Sequence, residues 1–400
     1  MSGSLNSIYN NINYALNQHM MAMAKLQEQA SSGSRVNRAS DDPTGSYQIL
    51  GLKSQQELLG NYIDNISSAS DTLQSSDTIV QNIKQSLAQV RNVLSQVTSG
   101  TYSDDARART AEQVDQILEQ VVQYANSKSN GQYLFGGTST GTAPYTVERT
   151  DGKITGVVYN GASGERSVEV APAVTMNIFS VGEDIFGSND RSAPVFSNVT
   201  GAKAGTGTSN VNGDVWLTVI NDGSNYKVSI DDGLTYTTVP AGGEANQAVT
   251  DSRTGKVLYV DTTGINQTGV ELVRVPGTYD VFNTLIAVRD TLKNDKGLST
   301  DQLKQACNSA YNSLDEVINR VLQTSVTNGT KINFLDDLKT NLTDLKNQAE
   351  DQTSAVEDAD IAQISIDLSR QQVLYQMSLS VAAKMMSISL LDYISTSTTQ

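Results

Sequence analysis

The chain has 400 residues and a formal net charge of −15. That balance argues against sequence-independent nucleic-acid binding, which needs clustered Lys and Arg, and against an anionic membrane surface. The single cysteine, Cys307, excludes an internal disulfide, and the single histidine, His19, lies on an apolar ridge, so neither residue builds a nucleophilic or multi-His metal site.

Length allows two or three domains. Gly is unevenly spread: six fall in 1–130, 22 in 131–277 and two in 278–400. Both ends therefore read as helical and the middle as turn-rich. The start, MSGSLNSIYNNINYAL, lacks the basic segment and apolar run of a secretory signal. The residues alone thus predict a cytoplasmic protein, unless export uses no cleavable signal.

A first helix is predicted over 5–31. Leu5, Ile8, Ile12, Ala15, His19, Ala22 and Leu26 recur by threes and fours, with Leu16, Met20 and Met23 beside them. This face is broader than a coiled-coil seam, on a rod of about 40 Å. Gly33 ends it. Asp42 and Pro43 read as an N-cap and a first helical position.

A long helix over 45–98 carries a seam through Ile49, Leu52, Gln56, Leu59, Ile63, Ile66, Ser70, Leu73, Asp77 and Val80. The seam then slips to Ile83, Leu87, Val90, Leu94 and Val97, a stammer. Gln56, Ser70 and Asp77 are polar residues suited to setting register. Ser103 and Asp104 open a further helix over 104–129, with Val114, Ile117, Val121 and Tyr124 inward.

Period-two patterning begins at 130. NGQYLFGGTSTGTAPYTV and DGKITGVVYNG predict a β-hairpin with Gly-rich turns. Strands over 215–220, 225–230 and 234–239 form a meander with turns at Asn221–Asp222–Gly223 and Asp231–Asp232–Gly233. Trp216 is expected to anchor its core. Asp231 and Asp232 read as turn residues, because the closing Glu of a calcium loop is missing. Helices resume at 278–294, with Phe282, Leu285 and Leu292 inward. Ser299 and Gln302 resemble a capping box for a helix carrying Leu303, Cys307, Leu314 and Val321, and another starts near 331.

The last helix, 356–394, holds no Gly or Pro and reads as uninterrupted. From Val373 to Ile394, fifteen of 22 residues are apolar. Leu374, Met377, Val381, Ile388 and Leu391 form one ridge, and Leu368, Tyr375, Leu379, Ala382 and Met386 another. Three readings are open: a core helix, a membrane span, or a helix covered by the N-terminal helix and by copies of the chain. Ser378, Lys384 and Asp392 count against a span, which needs about 20 mainly apolar residues. A terminal core helix has little chain left to surround it. The third reading makes an assembly face of Leu5, Ile8, Ile12, Leu16, Met23 and Leu26 with Leu368, Tyr375, Leu379, Ala382, Met386, Leu390, Leu391 and Ile394. Such ends are expected to stay largely unfolded until neighbours cover them.

The fold class expected is mainly α with an inserted β domain. Antiparallel terminal helices (1–40 and 356–400) join a helical bundle with a β-hairpin (41–165 and 277–355), and 166–276 forms an outer β domain. No phosphate loop, metal cluster or cofactor motif is present, so no catalysis and no cofactor are expected.

The segment SSGSRVNRASDDPTGSYQIL, 31–50, resembles the N-terminal signature of the flagellin superfamily, through Arg35, Asn37, Asp41, Asp42, Pro43 and Gly45. NGQYLFGGTSTGTAPY, with Tyr133, Leu134, Phe135, Gly136 and Gly137, and the ending LYQMSLSVAAKMMSISLLDYI resemble the branch placed between flagellar hook and filament. EDADIAQ at 357–363 is shared more widely. The resemblance covers about 1–165 and 277–394 and implies an extracellular appendage subunit exported without signal cleavage. Its implied partners are identical subunits in a ring, the other hook-associated junction protein, flagellin and an export chaperone. Flagellin itself is the alternative.

Overall fold

The computed structural model describes residues 2–99, 103–188 and 190–397, with the side chains of 2–6, 8, 99 and 388–397 outside that description. In chain order the helices and strands begin with α1 (Ser2–Ser32), α2 (Pro43–Ser99) and α3 (Asp104–Ala125). The hairpins β1 (Lys128–Ser129)/β2 (Gln132–Tyr133), β3 (Tyr145–Thr150)/β4 (Lys153–Tyr159) and β5 (Arg166–Ala171)/β6 (Val174–Phe179) follow, then the short α4 (Gly182–Phe186). The β region continues with β7 (Val195–Phe196), β8 (Lys203–Ala204), β9 (Gly213–Asn221), β10 (Tyr226–Ser229), β11 (Thr237–Thr238), β12 (Gln247–Thr250), β13 (Val257–Asp261) and β14 (Gly269–Val275). The chain closes with α5 (Val281–Lys293), α6 (Thr300–Glu357) and α7 (Ile361–Ser397). Two compact units result: 1–64 with 339–400, and 65–338.

The 65–338 unit contains two apolar cores. In the first, the α2 seam predicted from spacing is buried from Val80 through Leu94, stammer included. It packs with Val114, Leu118 and Val121 of α3, Leu285 and Leu292 of α5, and Leu303, Leu314 and Val321 of α6. Cys307 is one of its small buried members, and burial pushes its thiol up to about 11. Polar residues fix the α2–α6 register: Ser325 Oγ donates to Asp77 at 2.7 Å, and Arg91 donates to Tyr311 at 2.9 Å. The buried Arg289 ties α5 to its neighbours, donating to Asp115 of α3 (2.8 Å) and to the Ile154 carbonyl of β4 (2.7 Å).

The second core lies between a five-stranded sheet, order β11-β10-β9-β14-β7, and a three-stranded sheet, order β12-β13-β8. Leu217, Val219, Leu258, Val260 and Val273 fill it. Trp216 is not its anchor. Alternation along β9 turns Leu217 and Val219 into this core and Trp216 the other way, against the helical cluster, where Lys296 stands over its ring. Asp231 is a structural hub. Its buried carboxylate accepts from the hydroxyls of Ser229 (2.8 Å), Thr235 (2.6 Å) and Ser252 (2.6 Å). Burial works to raise its pKa, but these donors outweigh it and hold the carboxyl far below the ordinary 3.8. Asp232 pairs with Arg253 at 3.3 Å and with Lys296.

Several helix boundaries differ from the sequence expectation; α5, expected from 278, begins at Val281. α3 stops at Ala125, four residues early, as β1 begins at Lys128. α6 runs through Asn328–Gly329 without the predicted break. Gly costs about 1 kcal/mol in a helix interior, and the seam of Leu314, Val321, Asn328 and Leu335, all buried, overrides it. Conversely, the last helix is broken at Asp358–Asp360. Asp360 caps α7 by accepting from the Gln363 amide at 3.0 Å. Two other caps agree with the sequence, Ser103 with Ala106 and the reciprocal Ser299–Gln302 box, while Asp280, expected inside a helix from 278, instead caps α5 by accepting from the Asn283 amide at 2.8 Å. No helix among the described residues is long and apolar enough to cross a membrane.

Candidate functional site

The site lies in the 1–64 and 339–400 unit and has two parts: a polar clasp and the helix pair beyond it. The clasp forms where two chain reversals lie side by side. Gly33, at φ +72°, turns the chain out of α1 in a conformation that favours glycine. The next residues pair with the α6–α7 break. Arg35 N donates to the Glu357 carbonyl at 2.6 Å, Ala359 N donates to the Gly33 carbonyl at 2.9 Å, and Ser34 and Asp358 form an isolated antiparallel bridge.

Side chains reinforce this pairing. Arg35 reaches the Val356 carbonyl at 2.8 Å and Asp42 at 3.4 Å. Asp42 also caps α2, accepting from the Gly45 amide at 2.9 Å. Gly45 is fitted to that cap, since a Cβ there would lie 2.7 Å from the Asp42 carboxylate. Pro43 occupies the first helical position, where its missing N–H costs nothing. Asp41 accepts from the Arg38 amide at 3.0 Å and pairs with Lys25 at 3.1 Å. The Lys25 ammonium holds the Asp41 carboxyl below its ordinary 3.8, and the Gly45 amide does the same for Asp42. Lys53 meets Glu357 at 2.8 Å, and Gln56 donates to Thr353 at 2.8 Å, so α2 and α6 are keyed together just before the break.

Beyond the clasp, α1 and α7 pair antiparallel. The seam is narrow. On α7 the partly or fully buried residues include Ile364, Leu368, Gln371, Tyr375, Ser378 and Ala382, two interleaved seven-residue repeats. On α1 they include Ile12, Leu16, His19, Met23 and Leu26. His19 Nδ1 lies 2.9 Å from Gln371 Oε1 across the seam. Of the predicted assembly residues, Ile12, Leu16, Met23, Leu26, Leu368, Tyr375 and Ala382 thus face the internal partner. Leu379 and Met386 point outward, the latter 55% exposed. Leu5, Ile8, Leu390, Leu391 and Ile394 lie outside the described side chains.

Outside that seam, the described apolar side chains of α7 are uncovered. Val373, Leu374, Met377, Leu379, Val381, Met385 and Met386 are all exposed, as are Tyr9, Tyr14, Met20 and Met21 of α1. Burying a large apolar side chain is worth about 1.5–3 kcal/mol. Seven roughly half-exposed side chains on α7 therefore leave on the order of 5–10 kcal/mol unrealised. A contiguous face of this kind marks an interaction surface.

The second motif has a different place. It belongs to the 65–338 unit and is packed inward. Leu134 and Phe135 are buried, and Phe135 meets Phe186 edge-on at 5.1 Å. The Phe135 carbonyl accepts from Gly182 N (2.9 Å) and Tyr159 Oη (3.2 Å). Gly136 and Gly137 are held by close backbone: a Cβ on either would lie 2.3 Å from the carbonyl of Ser139 or Ala162 respectively. Tyr133 carries Lys128 over its ring at 4.4 Å.

A family model for the bacterial flagellin N-terminal helical region matches residues 4–140, covering α1, the first reversal, α2, α3 and the buried Leu134–Phe135 motif. Flagellar hook-associated protein 3 of Salmonella typhimurium is 33% identical over 167 residues, 41% of this chain and 50% of the relative. The Escherichia coli protein of the same name is 29% identical over 165 residues, with the same two shares. The N-terminal third of the chain is thus similar to the flagellin N-terminal helical region. The chain spans about half the length of the curated relatives it matches. Flagellar hook associated protein-3 of Legionella pneumophila shares the fold with a TM-score of 0.53 at 19% identity, over 77% of this chain and 98% of that one. A flagellar junction protein of the same organism gives 0.50 at 21% identity, over 79% and 100%.

Sequence reasoning missed the C-terminal half of the clasp. Val356, Glu357, Asp358 and Ala359 receive the Arg35 segment, and they lie outside the family-model match. A signal was available: Asp360 followed by Gln363 has the spacing of a helix N-cap. Nothing in the structure explains the identity of the signature residue Asn37.

Proposed function

We propose that this chain is a structural, non-catalytic subunit of the bacterial flagellum, forming the junction ring that joins hook to filament. The observation that carries the reading is the uncovered apolar face of α1 and α7, too broad for the internal partner to cover. The curated relatives named flagellar hook-associated protein 3 support the junction over the filament. In this reading 1–40 and 356–400 form the inner assembly domain. Residues 41–165 with 277–355 form the surrounding bundle, and 166–276 points outward. The partners are identical subunits, the other hook-associated junction protein on the hook side and flagellin on the filament side. An export chaperone shields the apolar ends before secretion without a cleaved signal.

Flagellin itself is the second reading, favoured by a 25% identity over 122 residues to the flagellin of Listeria monocytogenes. Immunogold labelling of intact flagella separates the two. Label confined to the base of each filament is expected, together with a deletion strain that makes hooks without filaments. Label along the filament, or a deletion strain that swims normally, overturns the junction reading.

A further inference from the structure

We propose that the exposed methionines of α1 and α7 form a redox modification site, at which a peroxide-class oxidant blocks subunit docking until the sulfoxides are reduced. The proposal rests on the assembly reading of this face and adds its regulation.

Methionine is concentrated where the apolar face is. Six of the eight methionines lie in α1 and α7, and the 65–338 unit holds one, Met176. Met20 and Met21 of α1 and Met377, Met385 and Met386 of α7 are all exposed, from 44% at Met385 to 72% at Met21. Met377, Val381 and Met385 follow at four-residue spacing, so two of the thioethers share one apolar ridge. Helix propensity and burial do not ask for this residue, because leucine matches it in both. What methionine adds is a soft, polarisable sulfur with a lone pair.

The other oxidisable groups are harder to reach. Cys307 is buried, and burial keeps its thiol protonated at neutral pH, so little of the reactive thiolate forms. Met176 and Trp216 are half-buried. In the free subunit an oxidant therefore meets the α1 and α7 sulfurs first.

The reaction needs only the oxidant. The sulfur lone pair attacks one oxygen of hydrogen peroxide, and the S–O bond forms as the O–O bond breaks. Sulfur is oxidised by two electrons. The departing oxygen is reduced, takes up the second proton and leaves as water. The sulfoxide oxygen is a strong acceptor. Pressed against a neighbour's apolar side chains, it loses its water and finds no donor. A docked neighbour in turn covers the sulfurs, so the modification acts on the free subunit and spares the assembled one.

The test treats purified full chain with hydrogen peroxide and places the sulfoxides by peptide mass spectrometry. Incorporation is scored by adding the chain to hook-bearing cells of the deletion strain. The first sulfoxides are expected at Met20, Met21, Met377, Met385 and Met386, with melting of the 65–338 unit unchanged. Incorporation falls at least about ten-fold, the scale of one unmet buried acceptor. Treatment with methionine sulfoxide reductases for both epimers restores it. A variant with those five methionines changed to leucine incorporates equally before and after peroxide. If that variant does not fold, the Met377→Leu, Met385→Leu, Met386→Leu triple carries this arm, retaining more incorporation after peroxide than the unsubstituted chain. First oxidation at Met176, or oxidised chain that incorporates as well as untreated chain, overturns the proposal and leaves the assembly reading standing. Untreated chain that does not incorporate overturns the assembly reading and this proposal with it.

Discussion

Arg35 donates to the main-chain carbonyl of Val356 across 2.8 Å, joining the exit of the first helix to the last turn of the sixth. Because the Arg35 amide also bonds to the Glu357 carbonyl at 2.6 Å, one residue holds both strands of the reversal. Arg35→Ala keeps the main-chain bond and removes the guanidinium tethers to Val356 and Asp42. Hydrogen exchange at the Ala359 and Ile364 amides is expected to quicken on the order of five-fold, the size of one modest hydrogen bond. Exchange in the α3 amides should stay as it was.

Glycines in α2 give a controlled contrast. Gly51 and Gly60 have open space where a Cβ would go, while at Gly45 it meets the Asp42 carboxylate at 2.7 Å. Gly51→Ala or Gly60→Ala should stabilise the protein by up to about 1 kcal/mol through helix propensity. Gly45→Ala should bring no such gain, because the cap must move. Paired thermal unfolding measurements check the difference in sign.

The clasp carboxylates set an acid dependence. Asp41, through Lys25, and Asp42, through the Gly45 amide, are both held below the ordinary 3.8. A carboxyl with a depressed folded-state pKa stabilises above its unfolded value and loses that contribution as pH falls through the folded value. The clasp is therefore expected to be intact at neutral pH and to loosen only below about pH 4. Exchange rates at Arg38 and Gly45 followed from pH 6 to pH 3 provide the readout. Asp42→Asn should flatten the response at Gly45.

The outward face of α7 is separable from folding. Met377 and Leu379 are 61% and 43% exposed. Met377→Asp or Leu379→Asp should leave the unfolding of the 65–338 unit unchanged and abolish incorporation into assemblies. Subunit melting curves and recovery of secreted, unassembled protein measure the two effects. In dilute monomer, α1 and α7 should also exchange much faster than α2, since most of their apolar surface has no cover.

Asp231 makes a stability prediction for the β region. Its carboxylate meets Ser229, Thr235 and Ser252 together. Asp231→Ala strands the buried Ser229 hydroxyl and frees the exposed Thr235 and Ser252 from their shared acceptor, and should cost roughly 1–3 kcal/mol. Asp231→Asn should cost less, because it keeps one acceptor oxygen. Denaturant titration of both variants gives the order.

Residue spacing carried most of the helical architecture. The α2 seam, its slip after Val80 and the caps at Ser103 and Ser299 are local signals, and the structure contains them where spacing put them. What spacing missed depends on contacts far along the chain. Gly329 looks like a helix end until the burial of Val321 and Leu335 is known. The 356–394 stretch looks continuous because nothing in it forbids a helix. The break at Asp358–Asp360 exists because Gly33 and Arg35, more than 300 residues earlier, bond to it. Trp216 was misplaced for a third reason: alternation along β9 gives two faces but does not say which core each one meets. For the site, the apolar character of both chain ends was legible, but the division of α7 between an inward seam and an outward face was not.

The seven-residue spacing of the α7 seam bears on how subunits join. A helix held by so thin a strip keeps most of its circumference free. Docking a neighbour there adds dry area to the molecule and displaces none that it already has. Growth of a ring from such parts requires no unlatching step, so its rate should follow how often correctly oriented subunits meet.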